Sequence, residues 1–451
     1  MSFSAHLDIL NTGLVFSATA TRTGGEMTCT IPELDELQDY SAPRSVFSTP
    51  LSEFELGISE SLVHELFLKH VFQKGSGCLY GLSASLCLPV ELVENIFHRM
   101  KSRQMVEVKG MSGDDYNFVL SQAGKAECID RMQISRYSGP VPVPLASYQK
   151  AVREQVFRTR VNRKLLQEAY GDLTLEKSLL NRLGPALSSC KSMFLYGPSG
   201  TGKSSLAERL LRVFSEPVAI PHAIEVDGSI VTVFDPAVHT AVKNRPADRD
   251  PRWVYCERPC IIVGGELVAG MLEAHREGDS GSYTAPLHMK ANNGVFVIDD
   301  FGRQLIAPRD LLNRWIVPLD RRIDYLTLAN GQKFEIPFEV FVVFSTNLNP
   351  SELADEAFLR RIPNKILVDA VSGEVFDEIV RRRLEAQCWI AEPGAQDYLR
   401  KLCKERGGDL RPCYPRDVFR LIESIASFEE RDPSLNISDI DRAAELYFCA
   451  L

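Results

Sequence analysis

The chain has 451 residues, of which 45% are hydrophobic and 25% charged, and its net charge is −9. This length exceeds what one ordinary hydrophobic core needs, and the composition is typical of a globular protein with several domains. The acidic balance excludes a global attraction to nucleic acid or to anionic membranes. No apolar run reaches membrane-spanning length and the N-terminus lacks the basic start of a signal peptide, so we expect a cytoplasmic protein that does not insert into a membrane.

The eleven cysteines are scattered along the chain. Cys256 and Cys260 are the only close pair, and neither a histidine nor a second pair completes a zinc-binding spacing. We therefore expect reduced thiols rather than disulfides or a metal centre.

The first 135 residues fall into two parts. Residues 1–50 are rich in Thr, Ser and Gly and show no sustained period, which predicts a mostly irregular segment. In residues 51–135 the order is helix, short helix, helix, β-hairpin, helix. This order is typical of a winged-helix domain, and the stretch "YNFVLSQAGKAECI" resembles the end of one, where a wing strand runs into the final helix.

The rest of the chain predicts three further segments. Residues 136–149 contain three prolines in a short polar stretch and are expected to be a linker. Residues 150–368 alternate helices with short apolar strands, the pattern of a parallel α/β sheet sandwiched by helices. Residues 369–451 contain four helical stretches without strands, so we expect an all-helical C-terminal domain.

A phosphate-binding loop follows the first strand of the α/β region. The motif G-x-x-x-x-G-K-S stands between the strand "MFLY" and a helical stretch, which makes a chance match improbable. Its backbone N–H groups and the following helix would face phosphates, the lysine would reach the β- and γ-phosphates, and the first serine hydroxyl would bind Mg²⁺. The residues of this ATP-binding loop are Gly197, Pro198, Ser199, Gly200, Thr201, Gly202, Lys203, Ser204 and Ser205.

Two carboxylates end the apolar run "VFVIDD". Asp299 stands where a strand would deliver a ligand to Mg²⁺, and Asp300 where a base would orient the attacking water. Alone, such a pair is equally well a solvated turn or a helix cap. Beside a complete phosphate loop, the catalytic interpretation is favoured.

Three further candidates follow along the chain. Asn347 ends the next apolar strand, where its amide would hydrogen-bond the γ-phosphate or the attacking water. Arg360 and Arg361 precede a final strand and suit the stabilisation of a phosphate held by a neighbouring subunit. From spacing alone, a solvated helix face is the more common explanation for paired arginines.

The order of phosphate loop, acid pair, Asn strand, paired arginines and helical end resembles that of AAA+ ATPases, over about residues 150–451. Residues 286–350 are most similar to MoxR-type proteins and their relatives. In that group a β-hairpin before the Asn strand faces the central channel of a ring. The hairpin here is "DYLTLANGQKFEI", and its Asn330-Gly331 is the preferred chemistry of a two-residue turn.

The resemblance implies roles for individual residues. Asn347 would be the first sensor, Arg360 and Arg361 the arginine-finger candidates, and Arg416 in "YPRDVFRLI" the second sensor. It also implies ATP and Mg²⁺ at the subunit interfaces of a homo-oligomeric ring, a hexamer, that acts on a protein client.

One departure is that Asp300 replaces the usual glutamate, from which we expect slow turnover because water positioning is sensitive to a methylene. The leading hypothesis is an ATP-dependent remodelling or assembly ATPase. The alternatives are a DNA-associated AAA+ ATPase and a nucleotide-gated scaffold with little turnover. DNA is disfavoured because residues 51–135 carry eight basic and eleven acidic side chains.

Overall fold

The computed structural model describes residues 20–23, 26–29, 45–158, 160–243 and 249–448. Strands β1 (Ala20–Thr23) and β2 (Glu26–Cys29) form an antiparallel hairpin. The β-branched threonines at these positions favour strand, and the expectation that residues 1–50 are mostly irregular stays a prediction. Most of the remaining segment 1–50 lies outside the described residues.

The next region has the predicted order of helices and hairpin. Ser59 caps the first helix by accepting the backbone N–H of Leu62, and Ser121 caps the last by accepting that of Gly124. Phe118 packs against Phe67 and Phe97 at ring-centroid distances of 5.9 and 4.6 Å. The elements are α1 (Glu60–Lys74), α2 (Leu79–Leu86), α3 (Val90–Ser102), β3 (Val106–Ser112), β4 (Asp115–Leu120) and α4 (Gln122–Ile134).

The stretch predicted as a linker is packed into the protein. Val141 and Val143 are fully buried, and the N–H of Val141 donates to the carbonyl of Leu86 at 2.9 Å. Strand β5 (Val143–Pro144) leads directly into α5 (Leu145–Glu154). The linker prediction is therefore wrong in its expectation of a free segment, because buried valines stand between the prolines. We call residues 136–149 the connector.

Residues 160–368 contain the strands and helices of the α/β region. The helices are α6 (Arg163–Ala169), α7 (Lys177–Ser188), α8 (Lys203–Glu208), α9 (Leu287–Lys290), α10 (Pro308–Arg314), α11 (Ile316–Arg321), α12 (Pro350–Leu353) and α13 (Glu356–Leu359). The strands are β6 (Met193–Tyr196), β7 (Val218–Pro221), β8 (Ala223–Val226), β9 (Ser229–Thr232), β10 (Trp253–Cys256), β11 (Cys260–Val263), β12 (His275–Arg276), β13 (Tyr283–Thr284), β14 (Val295–Ile298), β15 (Ile323–Thr327), β16 (Lys333–Pro337), β17 (Phe341–Thr346) and β18 (Asn364–Leu367).

The central sheet has five parallel strands in the order β11-β14-β17-β6-β18. Both faces are covered: Val295 and Val343 pack with α6 and α7, whereas Phe296 and Phe344 pack toward α10 and α13. This burial explains why β14 and β17 are continuous apolar runs. The predicted parallel α/β sheet sandwiched by helices is confirmed.

A second sheet is built from the long segment between the phosphate loop and β14. Its strand order is β12-β13-β9-β8-β5, so the connector supplies an edge strand. Strands β8 and β9 form an antiparallel hairpin. Asp227 and Gly228 both have positive φ, at 45° and 84°, as a two-residue type I′ turn requires.

The β15–β16 hairpin is present, but its predicted two-residue turn is wrong. The N–H of Leu328 donates to the carbonyl of Gln332, and that of Gly331 donates to the carbonyl of Leu328. Residues 329–331 therefore form a three-residue loop, in which Gly331 alone has positive φ. The hydrogen bonds match a type I turn with a glycine bulge, which Asn-Gly accommodates equally well.

The C-terminal region is helical, as predicted. Its helices pack around a core that includes Phe376, Leu399, Val418 and Phe419. They are α14 (Gly373–Gln387), α15 (Ala395–Gly407), α16 (Cys413–Phe428) and α17 (Ile437–Tyr447).

Within the described ranges, every helix is too short or too polar to cross a bilayer. Nine cysteines between Cys78 and Cys413 are free thiols. Burial raises the pKa of Cys256 to about 12 and that of Cys260 to about 11. Burial therefore holds both side chains in the thiol form, which is less reactive than the thiolate.

Candidate nucleotide-binding site

The phosphate loop lies at the carboxyl end of β6, between β17 and β18 in the central sheet. Because β14 and β17 end at the same edge, Asp299 and Asn347 are brought to this loop from separate parts of the chain. Gly197 has φ of 143°, and a Cβ there would lie 2.2 Å from the carbonyl oxygen of Val368. Only glycine fits this position, so the motif's first residue is fixed by the close approach of the strand end.

Lys203 is the first residue of α8 and is buried. Its Nζ donates to the carbonyls of Gly197 and Pro198 at 2.9 and 2.8 Å, and to Oδ1 of Asn347 at 2.7 Å. Burial lowers the pKa of the Lys203 ammonium, and the Asp299 and Asp300 carboxylates oppose that shift. The ammonium thus lies in the loop, where a phosphate oxygen would meet it.

Ser204 and Asp299 are in direct contact. The Ser204 hydroxyl donates to Oδ2 of Asp299 at 2.6 Å. A hydroxyl and a carboxylate side by side beneath a phosphate loop are the hard oxygen ligands that Mg²⁺ takes from a protein, alongside waters and substrate phosphates. These two residues therefore fit the predicted metal site.

Asp300 adopts a left-handed backbone conformation, with φ of 48°. Its Oδ1 accepts a hydrogen bond from Nδ2 of Asn347 at 3.1 Å. Asn347 therefore bridges Lys203 and Asp300, using the two ends of its amide. A non-glycine residue in this conformation is strained, and such residues concentrate at functional sites.

A cavity of about 800 Å³ opens over the loop. Its walls include Asp299, Asp300, Asn347 and the loop residues from Ser199 to Ser205, whereas Gly197 and Pro198 lie behind the surface. The predicted nucleotide site and the cavity therefore coincide.

Other residues of this cavity were not predicted from the sequence. They come from helices α7 and α14 and from the segments around them, and they include both apolar and cationic side chains. The apolar residues are Leu173, Leu175, Leu179, Val371 and Ile379, and the cationic residues are Arg182, Arg382 and Arg383. The run "RRR" at 381–383 was the one available signal for the cationic residues.

The start of α16 contacts the phosphate loop. The N–H of Cys413 donates to the carbonyl of Gly200 at 3.2 Å, and Nη1 of Arg411 donates to that of Ser199 at 3.3 Å. Arg416 lines the cavity and forms an ion pair with Asp417 at 2.9 Å. The C-terminal region therefore brings the predicted second sensor, Arg416, to the cavity wall. It also places Arg411 against the phosphate loop.

Arg360 and Arg361 follow α13 and are absent from the cavity wall among the described residues. Arg360 is exposed and contacts Glu356 at 2.7 Å, whereas Arg361 contacts Asp320 at 2.7 Å. Neither side chain reaches the phosphate loop of its own chain. Their assignment to a neighbouring subunit stays a prediction.

Comparison with known proteins gives one family model and several structures. Residues 372–446, which span the four C-terminal helices, match a model described as a domain of unknown function (DUF8689). No curated protein matches the sequence.

Three solved structures illustrate the structural likeness. The Thermotoga maritima RuvB Holliday junction branch migration motor shares 15% identity, with 65% of this chain and 72% of that chain covered and a TM-score of 0.33. NtrX from Brucella abortus shares 14% identity, with 64% of this chain and 56% of that chain covered and a TM-score of 0.36. A complex of the magnesium chelatase subunits BchI and BchD shares 15% identity, with 61% of this chain and 92% of that chain covered and a TM-score of 0.32. Because these scores are low, the assignment of the fold rests on the strand order and phosphate loop of this chain.

Proposed function

We propose that this chain is an AAA+ ATPase that hydrolyses Mg-ATP at the subunit interfaces of a homo-oligomeric ring and uses the energy to remodel or assemble a protein client. The observation that carries the proposal is the convergence of Lys203, Ser204, Asp299, Asp300 and Asn347 beneath one cavity. Five groups with complementary roles in phosphoryl transfer, delivered by three strand ends, support a working site.

Each residue has a role in this proposal. Lys203 binds the β- and γ-phosphates, and Ser204 with Asp299 holds Mg²⁺, which when bound neutralises charge on the phosphates. Asp300 orients the attacking water and accepts its proton. Asn347 fixes the γ-phosphate and that water.

The ring and the MoxR-like subgroup belong to the same proposal. Arg360 lies outside the cavity of its own chain and is 77% exposed, which suits a residue that acts on a neighbour's phosphate. The β15–β16 hairpin before the Asn strand supports the subgroup. We propose that the ring is a hexamer and that the protein is cytoplasmic.

We assign the winged-helix-like region to protein contacts rather than DNA. Arg99, one of the eight basic side chains of residues 51–135, forms ion pairs with Glu53 at 3.4 Å and Glu60 at 2.8 Å. The exposed start of α3 carries Glu91, and Glu94 lies one turn on. Phosphate binding would have to break these ion pairs and approach two carboxylates, which weakens DNA as a partner.

The decisive experiment measures nucleotide binding and phosphate release by the full chain. Lys203→Ala should lower ATP affinity by about tenfold or more, because charge-assisted bonds to phosphate are lost. Lys164→Ala is the matched control, since that side chain is 86% exposed and remote from the loop. Unchanged ATP affinity in Lys203→Ala would refute the site.

The same assay separates the alternatives. Asp300→Asn should retain ATP but release phosphate about a hundredfold more slowly, and Asp300→Glu should exceed wild type if the shorter side chain limits the rate. Wild-type turnover no higher than that of Asp300→Asn would favour a nucleotide-gated scaffold. Duplex DNA binding by the full chain, with a steep salt dependence, would favour the DNA-associated alternative.

A further inference from the structure

The turn that follows β14 is tightly folded. Asp300 has φ of 48° and Gly302 has φ of 109°. At this φ of Gly302 any L side chain would be strained, so the position favours glycine. Two departures from ordinary backbone conformation within three residues need something that holds them.

Part of the turn is fixed by β17. The N–H of Phe301 donates to the carbonyl of Ser345 at 2.7 Å, and the hydroxyl of Thr346 donates to the carbonyl of Phe301 at 2.8 Å. These bonds fix Phe301, which is buried. They do not reach the carbonyl groups of the two aspartates.

The side chain of Gln304 makes that contact. Its Nε2 donates to the carbonyl of Asp299 at 2.8 Å and to that of Asp300 at 3.2 Å. Its Oε1 accepts the N–H of Gly302 at 2.8 Å. One amide thus satisfies three backbone groups of the strained turn, with both of its ends in use.

We infer that Gln304 is a positioning residue for ATP hydrolysis, which holds Asp300 in the left-handed conformation that keeps its carboxylate beside Asn347. The inference rests on the proposed ATPase function. Without the amide, the carbonyl of Asp299 and the N–H of Gly302 lose this partner, and the carbonyl of Asp300 keeps only the N–H of Arg303 at 3.0 Å, so the backbone relaxes toward right-handed geometry. The carboxylate then leaves the place from which it orients water, while Lys203 and the phosphate loop stay intact.

The test compares turnover with nucleotide binding in the full chain. Gln304→Ala should lower kcat about tenfold or more, because small misplacements of a reacting group are costly, and leave ADP affinity and Tm within experimental error of wild type. Gln304→Glu should behave the same, since a carboxylate still accepts from Gly302 but cannot donate to the carbonyls. Gln396→Ala, which removes a similar bond to the carbonyl of Asp377 at 2.9 Å, is the control and should match wild type.

A second readout asks whether Gln304 acts through Asp300. Affinity for ADP with aluminium fluoride, a mimic of the reacting phosphate, should fall in Gln304→Ala but should not fall further when the change is added to Asp300→Asn. A further fall in that background, equal losses of ADP affinity and kcat, or wild-type kcat in both Gln304 variants would overturn the inference alone. A wild-type chain that neither binds ADP nor releases phosphate would overturn the proposed function, and the inference with it.

Discussion

His239 is a buried histidine whose two ring nitrogens have different partners. Nδ1 accepts the backbone N–H of Asp235 at 2.9 Å, and Nε2 lies 2.9 Å from the carbonyl of Lys290, to which it donates. The neutral ring satisfies both bonds, whereas a protonated ring would face the Asp235 N–H with a second donor. Burial lowers the pKa of His239 below its usual range; the Lys290 carbonyl and the Asp235 carboxylate oppose this shift, and the Lys290 ammonium adds to it.

This pairing predicts acid sensitivity. Because the folded pKa lies below the unfolded value of about 6.5, the unfolded chain takes up the proton more readily, and stability is lost as pH falls below about 6.5. Thermal unfolding should therefore show a lower Tm at pH 5.5 than at pH 7.5. His239→Gln should reduce that difference, whereas His275→Gln, at an exposed position, should leave it unchanged. A pH dependence that is identical in both variants would contradict the assignment.

The residues of the phosphate site were predictable to different degrees. Lys203, Ser204 and Asp299 follow from motifs because each lies within a few residues of a strand end, where local sequence dictates geometry. Arg382 and Arg383 could not be assigned, since they reach the cavity only through the docking of a helix that is distant in sequence. Gln304 belongs to no sequence motif, and its role depends on which backbone groups its side-chain amide contacts in the folded turn.

At the scale of elements, the connector is the main difference between expectation and structure. Its prolines resemble those of a free linker, but pairing with β8, some 80 positions later, could not be foreseen from local composition. The helices and hairpins were predictable because caps and turn residues act locally, as Ser59 and the Asp227-Gly228 turn illustrate. The three-residue loop at Gly331 shows the limit, since one dipeptide suits two kinds of turn.

Arg252, which directly precedes β10, joins the connector to the segment before α1, and its loss should be destabilising. The guanidinium is buried, pairs with Asp250 at 2.9 Å, and donates to the carbonyls of Leu56 and Pro142 at 3.2 Å each. Arg252→Met would leave the Asp250 carboxylate buried without its partner. We expect a loss of about 3–5 kcal/mol, measured as a lower midpoint in urea or thermal unfolding.

Two comparisons sharpen this prediction. Replacing both partners, in Asp250→Asn with Arg252→Met, should recover much of the loss because no unpaired charge remains. Arg309→Met, at the exposed start of α10, should change the midpoint little. If Arg252→Met unfolded at the wild-type midpoint, the ion pair would have no structural role.

At the scale of the whole molecule, an active site shared between subunits can be tested by mixing defective chains. Lys203→Ala removes the phosphate lysine, and Arg361→Ala removes a finger candidate that would act on the neighbour. If each change abolishes turnover alone, a 1:1 mixture should recover roughly a quarter of wild-type activity, since random assembly joins an intact loop to an intact arginine at that fraction of interfaces. Phosphate release at the level of the separate variants would argue against shared sites, or against Arg361 as the finger.

The apolar core of helices α1–α4 is completed by residues that follow these helices in the chain. Their apolar cluster includes Val141 from the connector and Ala223 and Ile230 from β8 and β9. During synthesis, these helices are made before β8 and β9. Synthesis of the almost one hundred residues between α4 and the end of β9 takes about 5–20 s at ordinary elongation rates. Through that interval part of an apolar face stays exposed to solvent and to chaperones. A fragment cut at residue 135 would keep that exposed face permanently.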